Sequence, residues 1–222
     1  MRTKTKALVL SLCTVLLVVT TAFVTMAFLT SQDSVQNTFT VGEVAVSLDE
    51  LDVDNDRNTE DNKTYTVGEE KIVRDKANKY HLLPSETYVK DPTVHVAADS
   101  EDCFVYVKVT NGIAGAEAQT GTYNEVEYKS ISDQIKDLGW TALVVDGKTV
   151  DGVYYKTVMK EDTNRDLVVF NEFKIEDEIT NANLASYVTK DDATKIIEVV
   201  AYAVQCAGFD NAADAWSNTF GK

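Results

Sequence analysis

Two runs of strand-forming residues, far apart in the chain, each carry a cysteine at one end. Residues 103–110 (CFVYVKVT) open on Cys103, and residues 196–206 (IIEVVAYAVQC) close on Cys206. β-Branched and aromatic residues dominate both, which suits a pleated strand. Antiparallel pairing with the cysteines opposite sets Val105 against Val204, Val107 against Tyr202 and Val109 against Val200. Side chains alternate with period two, so all of these share one face. One register thus accounts for an apolar face and for both cysteine positions, and it makes Cys103 and Cys206 candidates for a disulfide. Two buried free thiols are the alternative. The second run is the most hydrophobic in the folded part of the chain and is expected at the centre of its sheet. With no CxxC pair and no clustered histidines, the spacing fits no zinc site.

The rest of the chain reads as further short strands. Residues 42–48 alternate as a half-buried strand, and residues 49–78 read as acidic and irregular. Residues 111–128 read as a loop. Residues 130–138 predict a short helix, with Ile131, Ile135 and Leu138 on one side and Gly139 ending it. Residues 140–145 form a strand, and 153–159 its return. Asp146-Gly147 and Asp151-Gly152 are turn signals between them. Residues 167–170 and 173–175 are short strands, 181–187 a helical turn, and Asp210 the cap of a terminal helix through Trp216. About nine strands with few helices point to an all-β, jelly-roll-type β-sandwich over residues 43–222. The chain has only two prolines, Pro84 and Pro92, and no linker-like stretch, so one domain is expected.

The first 27 residues are basic (Arg2, Lys4, Lys6), then apolar, then small at Thr25-Met26-Ala27. This is a signal segment, with cleavage between Ala27 and Phe28; a cut after Ala22 also fits, and an uncleaved anchor is the competing reading. Removal of three positive charges takes the formal net charge from −15 to −18. A chain so acidic repels nucleic acid and anionic membranes, leaving membrane contact only through the uncleaved signal segment. Its copies also repel one another, so acid or salt favours their association. Residues 28–41 have no hairpin partner beside them and span about 45 Å when extended. Phe28, Leu29, Val35, Phe39 and Val41 recur along that stretch as apolar anchors. Such a segment can add a strand to a neighbouring sheet edge, or fold back onto its own.

Several stretches resemble one known family. They are Ala27-Phe28 followed by a polar spacer, NTFTVG at 37–42 and the alternating Val44, Val46 and Leu48; YHLLPSETYVKDPTVHV and SEDCFVYVKV between Tyr80 and Val109; and AYAVQCAGFDNAADAW near the C-terminus. These are similar to the TasA and camelysin family of secreted Gram-positive proteins. Their signal peptides are cut by a dedicated signal peptidase, and members build extracellular biofilm-matrix fibres. The resemblance implies cleavage at Ala27, a jelly-roll fold, strands joined by the acidic turn at residues 99–102, and a donor strand at residues 28–42. It also implies self-association into fibres, alone or with other matrix proteins, in the extracellular matrix or at the cell surface.

Catalytic patterns do not accompany this. There is no HExxH helix, GxSxG elbow or P-loop. Camelysin-like proteins have been classed as metallopeptidases, and His81 and His95 could meet with a carboxylate as third ligand. The plainer reading puts His81 at a rim and His95 outward between Val94 and Val96. Asp52, Asp54, Asp56 and Asn58 alternate like a calcium loop, but Arg57 and Lys63 stand where Gly and a bidentate Glu belong. Glu69-Glu70 and Glu176-Asp177-Glu178 sit in solvated charge runs. Trp140, Trp216 and the tyrosines could line a sugar groove, although most alternate with Val or Ile as core residues do. The expectation is a secreted structural subunit with no catalytic residue, cofactor or metal. A carbohydrate-binding module and a metallopeptidase are the alternatives.

Overall fold

The computed structural model describes residues 30–33, 44–53, 63–67, 70–76, 78–184, 187 and 197–221. The expected signal segment with its Ala27/Phe28 cut, the anchors Phe28, Leu29, Val35, Phe39 and Val41, and the acidic loop at 54–62 lie outside the described residues. Within them, antiparallel strands build two five-stranded sheets and two small ribbons, with three short helices.

The first sheet has the order β1 (Thr30–Asp33), β14 (Ile197–Gln205), β7 (Cys103–Asn111), β11 (Lys148–Val158), β10 (Thr141–Val145). The second runs β12 (Asp166–Val168), β6 (Thr93–Val96), β2 (Val46–Leu51), β4 (Glu70–Asp75), β3 (Lys63–Val67). The ribbons are β5 (Thr87–Val89) with β13 (Glu172–Lys174), and β8 (Gly121–Tyr123) with β9 (Val126–Tyr128). The acidic turn at residues 99–102 joins β6 to β7, which lie in different sheets, so it carries the chain from one layer to the other.

The two sheets share one core. Val94 and Val96 of β6, with Val44 and Val46, meet Cys103, Val105 and Val107 of β7 and Ala201 and Ala203 of β14. Each fully buried valine contributes about 1.5–3 kcal/mol. The first sheet also buries its outer face. There Tyr106, Val204, Leu143 and Val153 pack under Ala212, Ala215 and Trp216 of the C-terminal helix α3 (Ala212–Thr219). Tyr106 lies against Trp216 (ring centroids 5.1 Å), and its hydroxyl donates to Ala212 O at 2.7 Å. A strand covered on both faces reads as a near-continuous apolar run rather than an alternating one, as residues 103–107 and 199–204 do.

That double burial explains the main correction. The antiparallel pairing of β7 with β14 is present, but the register is offset by one. Cys103 stands opposite Gln205, Val105 opposite Ala203, Val107 opposite Ala201 and Val109 opposite Val199. A slip of one residue turns a whole strand over. Tyr202 and Val204 therefore face α3, while the small Ala201 and Ala203 face the other sheet. Cys206 falls past the end of β14, its N–H donating to Asp102 O at 2.8 Å. Both cysteines are free thiols. Nor is β14 central: among the described residues it lies second from the edge, with the four-residue β1 outside it.

Other boundaries shift for local reasons. Residues 49–78, expected to be irregular, hold the end of β2 and the β3–β4 ribbon, and residues 111–128 hold the β8–β9 hairpin. Asp146-Gly147 does turn the chain, both residues at positive φ. Asp151-Gly152 does not; it lies inside β11. Gly152 adopts φ +67°, and a Cβ there would meet Val109 O at 2.4 Å, so close backbone approach, not a turn, requires the glycine. Helix α1 (Ile131–Asp137) ends before Gly139 at φ +84°. A single turn, α2 (Asn181–Leu184), precedes β14. Asn211 caps α3 in place of Asp210, its side chain accepting from Asp214 N at 3.0 Å.

Candidate functional site

The β1 edge of the first sheet is where the chain could take a strand from a partner. β1 pairs with β14 through Thr30↔Val204, Ser31↔Ala203, Gln32↔Tyr202 and Asp33↔Ala201. It also lies beside β2 of the facing sheet, so it closes the gap where the layers meet. On its other side β14 holds β7 over nine residue pairs, Ile197↔Asn111 through Gln205↔Cys103. Taking β1 away leaves the backbone of residues 201–204 as an unpaired edge, a template for another strand. Of the two alternatives for residues 28–41, the described part, Thr30–Asp33, lies on its own sheet.

At the end of this seam Glu101, Asp102, Gln205, Cys206 and Ala207 line an open groove of about 330 Å³. Lys160 Nζ lies 2.7 Å from Glu101 Oε1, and Lys160 N donates to Asp102 Oδ1 at 2.6 Å. Burial, with the Asp102 carboxylate beside it, pushes the Cys206 thiol up to about 11. Burial, with Cys206 and Asp102 nearby, pushes Cys103 up to about 12. Both stay protonated at neutral pH, which makes them poor nucleophiles and poor metal ligands.

A second polar cluster ties the other sheet together. His95 on β6 places Nε2 2.8 Å from Asp49 Oδ1 of β2 and Nδ1 2.7 Å from Asp166 Oδ1 of β12. A carboxylate on each ring nitrogen calls for a proton on each, so His95 is held as the imidazolium. Burial alone would lower its pKa, but the hydrogen bonds to Asp49 and Asp166 outweigh burial and raise it. For Asp49 burial pushes upward, and the bonds from His95 and Arg74 carry it below the usual carboxylate range. Arg74 of β4 pairs with Asp49 and reaches Asp91 Oδ2 and Thr93 Oγ1, each at 2.9 Å. Beside it, Lys90 pairs with the buried Glu50, which also accepts from Asn78 Nδ2 at 2.9 Å.

His95 points outward between Val94 and Val96, as the alternation predicts, but it meets Asp49 and Asp166 there. His81 is exposed. Among the described residues no group of three or more His, Cys, Asp or Glu side chains is placed to hold a metal ion.

Besides Asp49, Glu50 and Asp75, a further buried carboxylate escaped the sequence reading. Glu117 accepts from Ile131 N at 2.7 Å, Asn111 Nδ2 at 2.6 Å and Tyr128 Oη at 3.1 Å. Burial raises its pKa despite these bonds. It anchors the start of α1 to the β7 end and serves packing. Several of the described aromatic side chains are likewise committed to packing or to hydrogen bonds. Trp140 is 3% exposed and donates Nε1–H to Val168 O at 2.8 Å, and Trp216 packs from the inner face of α3 against Tyr106. The Tyr80, Tyr88 and Tyr123 hydroxyls donate to backbone carbonyls.

Among the described residues no helix is long and apolar enough to cross a membrane. No family model, curated protein or solved structure matches the chain.

Proposed function

We propose that the chain is a secreted, non-enzymatic structural subunit of an extracellular matrix or cell-surface fibre, with a jelly-roll connection of its two sheets. Copies assemble when the segment freed by cleavage at Ala27 adds a strand to the β14 edge of a neighbour. The observation that carries this reading is the seat of β1. It joins the first sheet at one edge by backbone pairing along Ala201–Val204, and ten residues, 34–43, separate it from Val44. The same pairing can be supplied by an identical segment from another copy, as in domain swapping. The similarity to TasA and camelysin supports the same reading, and the charge of −18 after cleavage makes assembly dependent on acid or salt.

Ser31 and Ala203 stand opposite each other in the register, and this gives the test. In mature protein carrying Cys103→Ala and Cys206→Ala, the changes Ser31→Cys and Ala203→Cys are combined and oxidised under assembling conditions. Strand exchange yields a ladder of covalent oligomers on a non-reducing gel. A single monomeric band, in fibres visible by microscopy, removes the strand-exchange mechanism. Absence of fibres from the unmodified mature protein removes the structural reading itself.

A further inference from the structure

Among the described residues the β8–β9 hairpin pairs with no other strand. An isolated two-stranded hairpin is marginal in water, so its seat on the body has to hold it. Its turn residues Asn124 and Glu125 lie at φ +49° and +70°, and Val126 beside them is 68% exposed. At the base its two ends are pinned to each other, Thr120 Oγ1 accepting from Ser130 N at 2.9 Å. Two tyrosines join the ribbon to the body. Tyr123 of β8 lies over Lys174 Nζ, 5.1 Å from the ring centroid. Tyr128 of β9 is 4% exposed, and its hydroxyl accepts from Lys174 N and meets Glu117 Oε1, each at 3.1 Å.

Glu117 is the buried ionisable partner in that seat. Ile131 N of α1 and the Tyr128 hydroxyl converge on Oε1, and Asn111 Nδ2 at the end of β7 donates to Oε2. The titratable groups facing it are Tyr128, Asp133 of α1 and, past Tyr128, Glu172 of β13. Lys174 turns its ammonium away, to Ser85 O and Asp177. Among the described residues no cation pairs with Glu117, and Asp133 repels its charge. A buried carboxylate without a cation favours its neutral form, and burial holds Glu117 above the usual carboxylate range. The neutral carboxyl keeps an acceptor and gains an O–H, so its contact with Tyr128 persists in either form. Swinging Tyr128 out admits water and returns the group towards about 4.3. The closed hairpin therefore binds the proton more tightly than the open one. Closure is fully supported below about pH 4.3 and loses that support as pH rises through the raised value.

We propose that Glu117 and Tyr128 form a pH-sensitive latch on the β8–β9 hairpin, closed in acid and released as pH rises, and that release uncovers the ammonium of Lys174. The hairpin is then a flap hinged at Thr120 and Ser130, with Tyr123 as its cover. The latch does not depend on how copies assemble.

The experiment follows hydrogen exchange of the amides of residues 121–128 in the full chain at pH 5 and pH 8. Rates are corrected for intrinsic exchange, and the amides of β6 serve as reference within the same molecule. Opening of the hairpin should be about fivefold or more greater at pH 8. Glu117→Gln, neutral at every pH, should keep slow exchange at both. Tyr128→Phe, which loses the hydroxyl and keeps the ring, should exchange fast at both. Equal corrected rates at the two pH values in the native chain overturn the proposal. So does a Glu117→Gln chain that keeps the native response, or a Tyr128→Phe hairpin as protected as the native one at pH 5. If the variants fail to fold, the native chain decides alone: a rise confined to residues 121–128 supports the latch, and a rise shared by β6 overturns it.

Discussion

Replacing His95 by Gln removes the imidazolium that bridges β2, β6 and β12, and its cost follows from the two contacts. A hydrogen bond to a charged group contributes about 1.5–3 kcal/mol, whereas an exposed ion pair contributes about 0–1 kcal/mol. Asp166 is 72% exposed, so that half adds little. Asp49 is 4% exposed, but Arg74 still holds it, so its charge is not stranded. The expected loss is about 2 kcal/mol. The pH dependence has a definite direction. His95 has a raised folded pKa, so its contribution is complete below the unfolded value of about 6.5 and is lost as pH rises through the folded value. Asp49 has a lowered folded pKa, so its contribution is present above about 3.9 and is lost as pH falls through the folded value. The pair therefore stabilises most between about pH 4 and 6.5. Urea unfolding followed by fluorescence of the buried Trp140 and Trp216 measures this. The gap between native protein and His95→Gln should be about 2 kcal/mol near pH 5.5 and should shrink well above the raised pKa. An equal gap at both ends refutes the imidazolium bridge.

Gly152→Ala meets the Val109 carbonyl at 2.4 Å and holds alanine at φ +67°. It should destabilise by about 2–3 kcal/mol, read as a lower urea midpoint at unchanged slope. Gly147→Ala, also at positive φ but with nothing within 4 Å, should cost only the backbone term of about 1 kcal/mol. Equal losses at the two glycines would show that the Val109 contact carries nothing. Alkylation of unfolded but unreduced mature protein should modify both Cys103 and Cys206, by intact mass, because Gln205 and not Cys206 faces Cys103. Recovery of an unmodified, bridged pair would contradict the register.

The strands that read most clearly were those with one buried face or strong turn chemistry. Asp146-Gly147 marks the β10–β11 turn because both residues must adopt positive φ, and Gly139 ends α1 for the same reason. The identity of the β7–β14 pair was also legible. Its register was not, because burial on both faces makes Val204 and Ala203 equally plausible inward residues, and only α3 decides between them. The cysteines supplied a false alignment mark. The polar clamp of Asp49, Arg74 and His95 draws on three strands from Asp49 to His95, and Asp166 lies 71 residues beyond His95. No local spacing links such residues. Glu117 sits in a stretch that looks like loop, and only its contacts with Ile131, Tyr128 and Asn111 reveal it as buried. The seam was half legible: an unpartnered extended segment could be read from residues 28–41, but the strand it meets could not.

Among the described residues β14 is held unequally by its two neighbours, nine residue pairs on the β7 side and four on the β1 side. Local opening free energies follow the number of interactions broken together. The short ladder can therefore part while the long one and the core behind it stay intact. A strand leaving that seam does not require the domain to unfold, and the open form presents a rigid edge rather than a molten one. If copies exchange this strand as proposed, the exchange needs only a local fluctuation, and the core keeps the same stability in the open and closed forms.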